Sequence, residues 1–68
     1  MTVLAHNLIL LMKINNMPKS ELAEKTGISR QMIYHYIDDK CKISANHLKK
    51  LADYFGLTMD ELFSKPLE

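Results

Sequence analysis

A chain of 68 residues and 7.9 kDa has room for one domain with one modest core, and none for a substrate domain beside a scaffold. With 47% apolar and 25% charged residues and only two Gly and two Pro, its composition is that of a folded globule and excludes a disordered tail. The formal net charge of +1 excludes nucleic-acid binding by bulk charge alone, so any such function depends on where the charges sit.

Alternating β-branched runs joined by Asn-Gly or Asp-Gly turns do not occur, which leaves helices. The first is expected over residues 3–14, with Leu4, Leu8 and Leu11 as its core stripe. Val3, Ile9, Leu10 and Ile14 lie outside that stripe and would need cover from a dimer partner or a further part of the chain. The other helix starts are marked by an apolar residue before the cap paired with another five positions on, the staple that fixes helix entry. Met17 and Leu22 bracket Pro18, Ile28 and Ile33 bracket Ser29, Ile43 and Leu48 bracket Ser44, and Leu57 and Leu62 bracket Thr58. Glu61 completes a capping box with Thr58. The resulting spans are 19–26, 30–38, 45–55 and 59–64, with Gly27 and Gly56 at helix ends and Leu48, Leu51, Ala52 and Phe55 as a second core face. The expected fold is all-α, a compact five-helix bundle forming a single domain over residues 1–68.

The segment from Lys19 to Ile37 is the most informative. A short helix ends at Gly27, a tight turn follows through Ile28 and Ser29, and a second helix begins. Ala23 is small where two such helices cross, Gly27 can take a positive φ, and Leu22, Ile28, Ile33 and Tyr36 fall on core-facing positions. That is a helix-turn-helix pattern in helices 2 and 3. The run Ser20-Glu21-Leu22-Ala23-Glu24-Lys25-Thr26-Gly27-Ile28-Ser29-Arg30-Gln31, followed by Leu48-Lys49-Lys50-Leu51-Ala52-Asp53-Tyr54-Phe55-Gly56-Leu57, resembles the phage repressor and Cro type of helix-turn-helix proteins. The resemblance covers nearly the whole chain and implies a lambda-repressor-like bundle that binds double-stranded DNA, usually as a homodimer on an inverted repeat.

In such a module the helix beginning near Ser29 would enter the major groove, where long polar side chains reach base edges. Its outward residues are Arg30, Gln31, Tyr34 and His35. Arg pairs bidentately with guanine and Gln with adenine, and His donates or accepts at a base edge, so Arg30, Gln31 and His35 are the expected base readers, with Tyr34 in reach of a base, a thymine methyl or a phosphate. Met32 is divided between a thymine-methyl contact and packing. Lys19, Ser29, Lys40 and Lys42 are the expected phosphate contacts, the two loop lysines because the family grips the backbone there. Lys13, Lys25, Lys49 and Lys50 read as ordinary surface charge.

The chain departs from the family at three places. Pro18-Lys19 stands where a Ser or Thr cap followed by Gln is common, and Asp38-Asp39 stands where a Gly often follows the recognition helix. Those carboxylates would repel phosphate unless they pair with Lys40 or point away, so a shallow salt dependence is expected. Many relatives join the first and recognition helices by a buried Arg–Glu pair. Met12 and Ile37 occupy those positions here and are expected to touch. Met59 and Phe63 on the fifth helix are the dimer surface the family suggests.

Other classes find little support. The single Cys41 allows no internal disulfide and fits a reducing compartment, and His35, Cys41 and His47 lack metal-ligand spacing, so neither metal nor cofactor is expected. A nucleophile elbow or phosphate-binding glycine loop is missing, which argues against an enzyme. The apolar run Leu8–Met12 is too short to span a bilayer, and a cytoplasmic location is expected. The alternative reading is a protein-interaction module of the same fold, such as an antitoxin-type regulator domain, favoured by the low charge and Asp38-Asp39. Lys65-Pro66-Leu67-Glu68 reads equally as the start of a linker to a further domain of a longer repressor.

Overall fold

The computed structural model describes residues 1–68 and contains five helices and no strand: α1 (Val3–Ile14), α2 (Lys19–Thr26), α3 (Arg30–Ile37), α4 (Ala45–Phe55) and α5 (Met59–Ser64). Four of the five spans coincide with those expected. The recognition helix is one residue shorter, because Asp38 is its C-cap.

Helix starts are built by side chains that take up amides the first turn leaves without a partner. The Ser29 and Ser44 hydroxyls accept from the amides of Met32 and His47, each at 3.2 Å. Thr58 and Glu61 form the reciprocal capping box, at 3.0 and 2.9 Å. Thr2 caps α1 by accepting from the Ala5 amide at 3.1 Å. Pro18 begins α2 with no side-chain cap, and its carbonyl receives the amides of Glu21 and Leu22.

Helix ends follow an equally local rule. After α1 and α3 the residue past the cap is left-handed, Asn16 at φ 52° and Asp39 at φ 57°, and after α4 the cap itself is, Gly56 at φ 71°. In each case the next amide reaches back to a carbonyl five residues earlier: Met17 to Met12, Lys40 to His35 and Leu57 to Ala52. These paired turns satisfy the last orphaned carbonyls. Asn and Asp tolerate the left-handed region better than other side chains, so Asp39 supplies the turn for which glycine is the usual solution.

The core joins Leu4, Leu8 and Met12 of α1 to Leu22 and Ala23 of α2, Ile33, Tyr36 and Ile37 of α3, Leu48, Leu51 and Ala52 of α4, and Leu62 of α5, with Ile28 from the turn. The α1 stripe therefore runs Leu4, Leu8, Met12, and Leu11 is only half-buried at its margin. Steps of four residues follow the line of α1 that faces both α3 and α5. Phe55 is likewise half-buried rather than central, its ring against Tyr54 edge to face at 5.1 Å. Met12 and Ile37 are both buried in this one cluster, 7% and 6% exposed, where α1 packs on α3. Two apolar side chains there require no charge to be desolvated.

The core has one polar member. Asn7 is fully buried; its amide donates to the carbonyls of Leu62 at 2.8 Å and Lys65 at 3.0 Å, and its oxygen accepts from the Leu67 amide at 3.1 Å. It fastens the C-terminal segment across α1 and satisfies carbonyls at the end of α5 that the helix itself cannot.

Candidate nucleic-acid interface

The turn between α2 and α3 sets the geometry. Gly27 lies at φ 75° and returns its amide to the Ala23 carbonyl at 2.9 Å, closing α2. Ile28 then enters the core, 3% exposed, and the extended, exposed Ser29 starts α3. With Ile33, Tyr36 and Ile37 buried, the helical repeat leaves Arg30, Gln31 and Tyr34 on the opposite, exposed side. Tyr34 lies four residues after Arg30 and three after Gln31, so it neighbours both on the surface of the first two turns of α3. The amides of Arg30 and Gln31 have no intrahelical acceptor by construction, so the helix presents donors at the same end.

The remaining expected reader, His35, and the ambiguous Met32 are less accessible. His35 is half-buried beside the exposed face, so only part of its ring is accessible. Met32 is half-buried and packed against the core, which favours packing over a groove contact. Met59 and Phe63, the surface suggested for dimerisation, divide: Met59 packs against the core and Phe63 is 49% exposed. On α1 the excess apolar residues are mostly accounted for, with Val3, Ile9 and Leu10 half-buried and Ile14 alone fully exposed, at 67%.

Of the phosphate candidates, Lys19 is half-buried at the start of α2, and its ammonium lies over the Tyr34 ring, 4.7 Å from the centroid. This contact links α2 to the outward face of α3. It was invisible from the sequence, since nothing in the spacing of residues 19 and 34 specifies a contact across two helices. Lys40 and Lys42 are exposed in the segment between α3 and α4, and Ser29 is exposed while serving as a cap. Lysine ion pairs occur only between Lys49 and Asp53 at 3.0 Å and Lys65 and Asp60 at 3.5 Å. Lys19, Arg30, Lys40 and Lys42 thus carry no carboxylate within ion-pair distance.

The Asp38-Asp39 pair, which threatened to oppose phosphate, is partly neutralised. The Asp39 carboxylate accepts from the Thr2 hydroxyl at 2.6 Å and the Thr2 amide at 3.0 Å, with the terminal ammonium 3.9 Å away. The Thr2 side-chain hydrogen bond, then the backbone one, and the terminal charge after them hold this carboxyl below its ordinary pKa. Its partner is the start of α1 rather than Lys40. Asp38 remains exposed and unpaired.

Behind the exposed face, α3 is braced by the Tyr36 hydroxyl hydrogen-bonded to His47 Nδ1 on α4, their rings edge to face at 5.7 Å. Burial pushes the Tyr36 phenol above its usual pKa, so it stays neutral and available as a partner. His47 is thereby engaged in packing. No three His, Cys, Asp or Glu side chains lie close enough together to hold a metal ion.

A short helix, a glycine turn and a braced second helix offering arginine, glutamine and tyrosine beside unpaired lysines define a helix-turn-helix DNA-binding module. The chain belongs to the Cro/C1-type HTH DNA-binding domain family, whose model matches residues 7–66. It is similar to a solved structure described as a transcriptional regulator from Listeria innocua, with a TM-score of 0.80 and 29% identity. That match covers 96% of this chain and 61% of the other, so the chain spans less than two thirds of that regulator. Comparison with curated proteins finds no match.

Proposed function

We propose that this protein is a sequence-specific transcriptional regulator that reads an inverted-repeat operator as a homodimer, by binding alone. The observation that carries the reading is the exposed row Arg30, Gln31 and Tyr34 at the start of α3, with unpaired Lys19 beside it. Arg30 and Gln31 supply bidentate recognition of guanine and adenine, Tyr34 offers a ring to a thymine methyl, and the accessible part of His35 faces the groove edge. Lys19, Lys40, Lys42 and the Ser29 hydroxyl contact phosphates and set the register without carrying sequence information.

A fold with Cα extents of 24 × 24 × 20 Å fits one copy per half-site when recognition helices sit roughly one DNA turn, about 34 Å, apart. Phe63 and Ile14 are among the exposed apolar side chains available to a second copy. With three lysine–phosphate contacts per copy, the slope of log affinity against log salt is about −5 for the dimer.

Selection from random-sequence DNA at moderate salt tests this. Enrichment of a palindromic motif with half-site centres about one turn apart is the expected result. Enrichment of a single, non-repeated site contradicts the dimer. Failure to enrich any motif at low or moderate salt contradicts DNA reading itself and supports a protein partner.

A further inference from the structure

We infer that Lys19 and Tyr34 act as one unit in DNA binding, with Tyr34 the positioning residue that aims the Lys19 ammonium at a backbone phosphate. This rests on the DNA-binding reading above and deepens it.

Lysine is a poor fixed contact on its own, because its four-carbon stem loses close to 2 kcal/mol of rotamer entropy when immobilised. Here part of that ordering precedes DNA. The ammonium sits 4.7 Å from the centre of the Tyr34 ring, well inside the range in which an aromatic face attracts a cation, and the side chain is half-buried although it begins a helix. The surroundings point it toward an anion rather than a protein carboxylate. No carboxylate lies within ion-pair distance of Lys19, as for every lysine but Lys49 and Lys65, so its ammonium is free for an anion from outside the chain. Pro18 offers no side-chain cap, so the Lys19 and Ser20 amides at the start of α2 have no acceptor within the helix. A phosphate arriving there meets two free amides and an ammonium that the ring already biases toward this position.

The ring is the working part of Tyr34 in this arrangement, and the hydroxyl is not. Since the ring also belongs to the exposed row of α3, the phosphate contact of α2 and the groove contact of α3 share one side chain. Misplacing either then weakens both, which couples backbone register to base reading.

The test measures affinity and its salt dependence on a DNA fragment enriched by the native chain, for Tyr34→Phe, Tyr34→Leu, Lys19→Gln and the Tyr34→Leu/Lys19→Gln double variant. Tyr34→Phe keeps the ring and is expected to bind more tightly than Tyr34→Leu and with a steeper salt slope. Tyr34→Leu and Lys19→Gln each weaken binding about two- to fivefold per copy, the scale of an exposed cation–π contact, and each flattens the slope by about 1 per copy. The double variant is expected to bind no more weakly than the weaker single one. Additive losses, or a Phe variant as weak as the Leu variant with the native slope, overturn the inference.

A second measurement needs no DNA. The Lys19 Hε protons are expected to be shifted upfield by the ring in the native protein and in Tyr34→Phe, and to return to ordinary values in Tyr34→Leu. Ordinary values in the native protein overturn the pairing. If instead the shift is present and the native chain binds no DNA, the DNA reading falls and takes the role of Lys19 with it. Thermal melting of the variants separates a folding defect from a binding one.

Discussion

Two side chains at distant positions do work that local pattern does not reveal. Asp39 and Thr2 are 37 positions apart and meet only once α1 and α3 have packed. Because hydrogen bonds from Thr2 lower the Asp39 pKa in the folded chain, the ionised carboxylate is the form that favours folding. Its contribution is present above the ordinary aspartate range and is lost as pH falls through the lowered folded value. Asn tolerates the same left-handed backbone, so Asp39→Asn removes the charge without straining φ. Its melting temperature is expected to fall below native at pH 7 and to converge with native under acid. An equal deficit at both pH values would show that the charge is not responsible. Asn7 is the other case. It lies three residues after Leu4 and four before Leu11, on the apolar side of α1, and that placement was the available signal. Its partners, the carbonyls of Leu62 and Lys65, are 55 and 58 positions away and no periodicity points to them.

Elements were far more legible, because helix starts and stops are decided within about six residues. The staple pairs located four starts, and Ser29, Ser44 and Thr58 cap the helices they were expected to cap. What escaped was the detail set by packing between helices. The α1 stripe turned from Leu11 to Met12 because two neighbours share that face, and half-burial of His35 narrowed a reader expected to point outward. At Gly27 the requirement is conformational alone, since an added Cβ would meet nothing within 4 Å while φ is +75°. Gly27→Ala is therefore expected to destabilise by about 1–2 kcal/mol, and Gly27→Asn by distinctly less, in denaturant unfolding. Equal losses for Ala and Asn would point to a steric cause instead. The loss bears on binding as well, because this turn fixes the angle at which α3 leaves α2.

At the scale of the molecule, α3 is held from behind by α1 and α2 and by the Tyr36–His47 contact with α4, which leaves one face free. At the α1–α3 contact Met12 and Ile37 bury carbon, and a single charge placed there would have no partner. Ile37→Glu is expected to cost about 3–5 kcal/mol, and the Met12→Arg/Ile37→Glu double variant to recover part of that loss. A double variant no better than Ile37→Glu alone would mean that the two positions are not coupled. Charge at this scale is sparse but placed: the formal net charge is only +1, yet Arg30, Lys19, Lys40 and Lys42 remain without carboxylate partners, and Asp39 is turned to Thr2.

In the proposed mode of binding, α3 reads base sequence through Arg30 and Gln31. The direct measurement is the base preference of the Arg30→Ala/Gln31→Ala variant against the native chain, each selected from the same random DNA at the same salt. The variant is expected still to bind DNA, with a similar salt slope, but to lose discrimination of about 1–3 kcal/mol at the positions those side chains contact. An unchanged motif in the variant would contradict it.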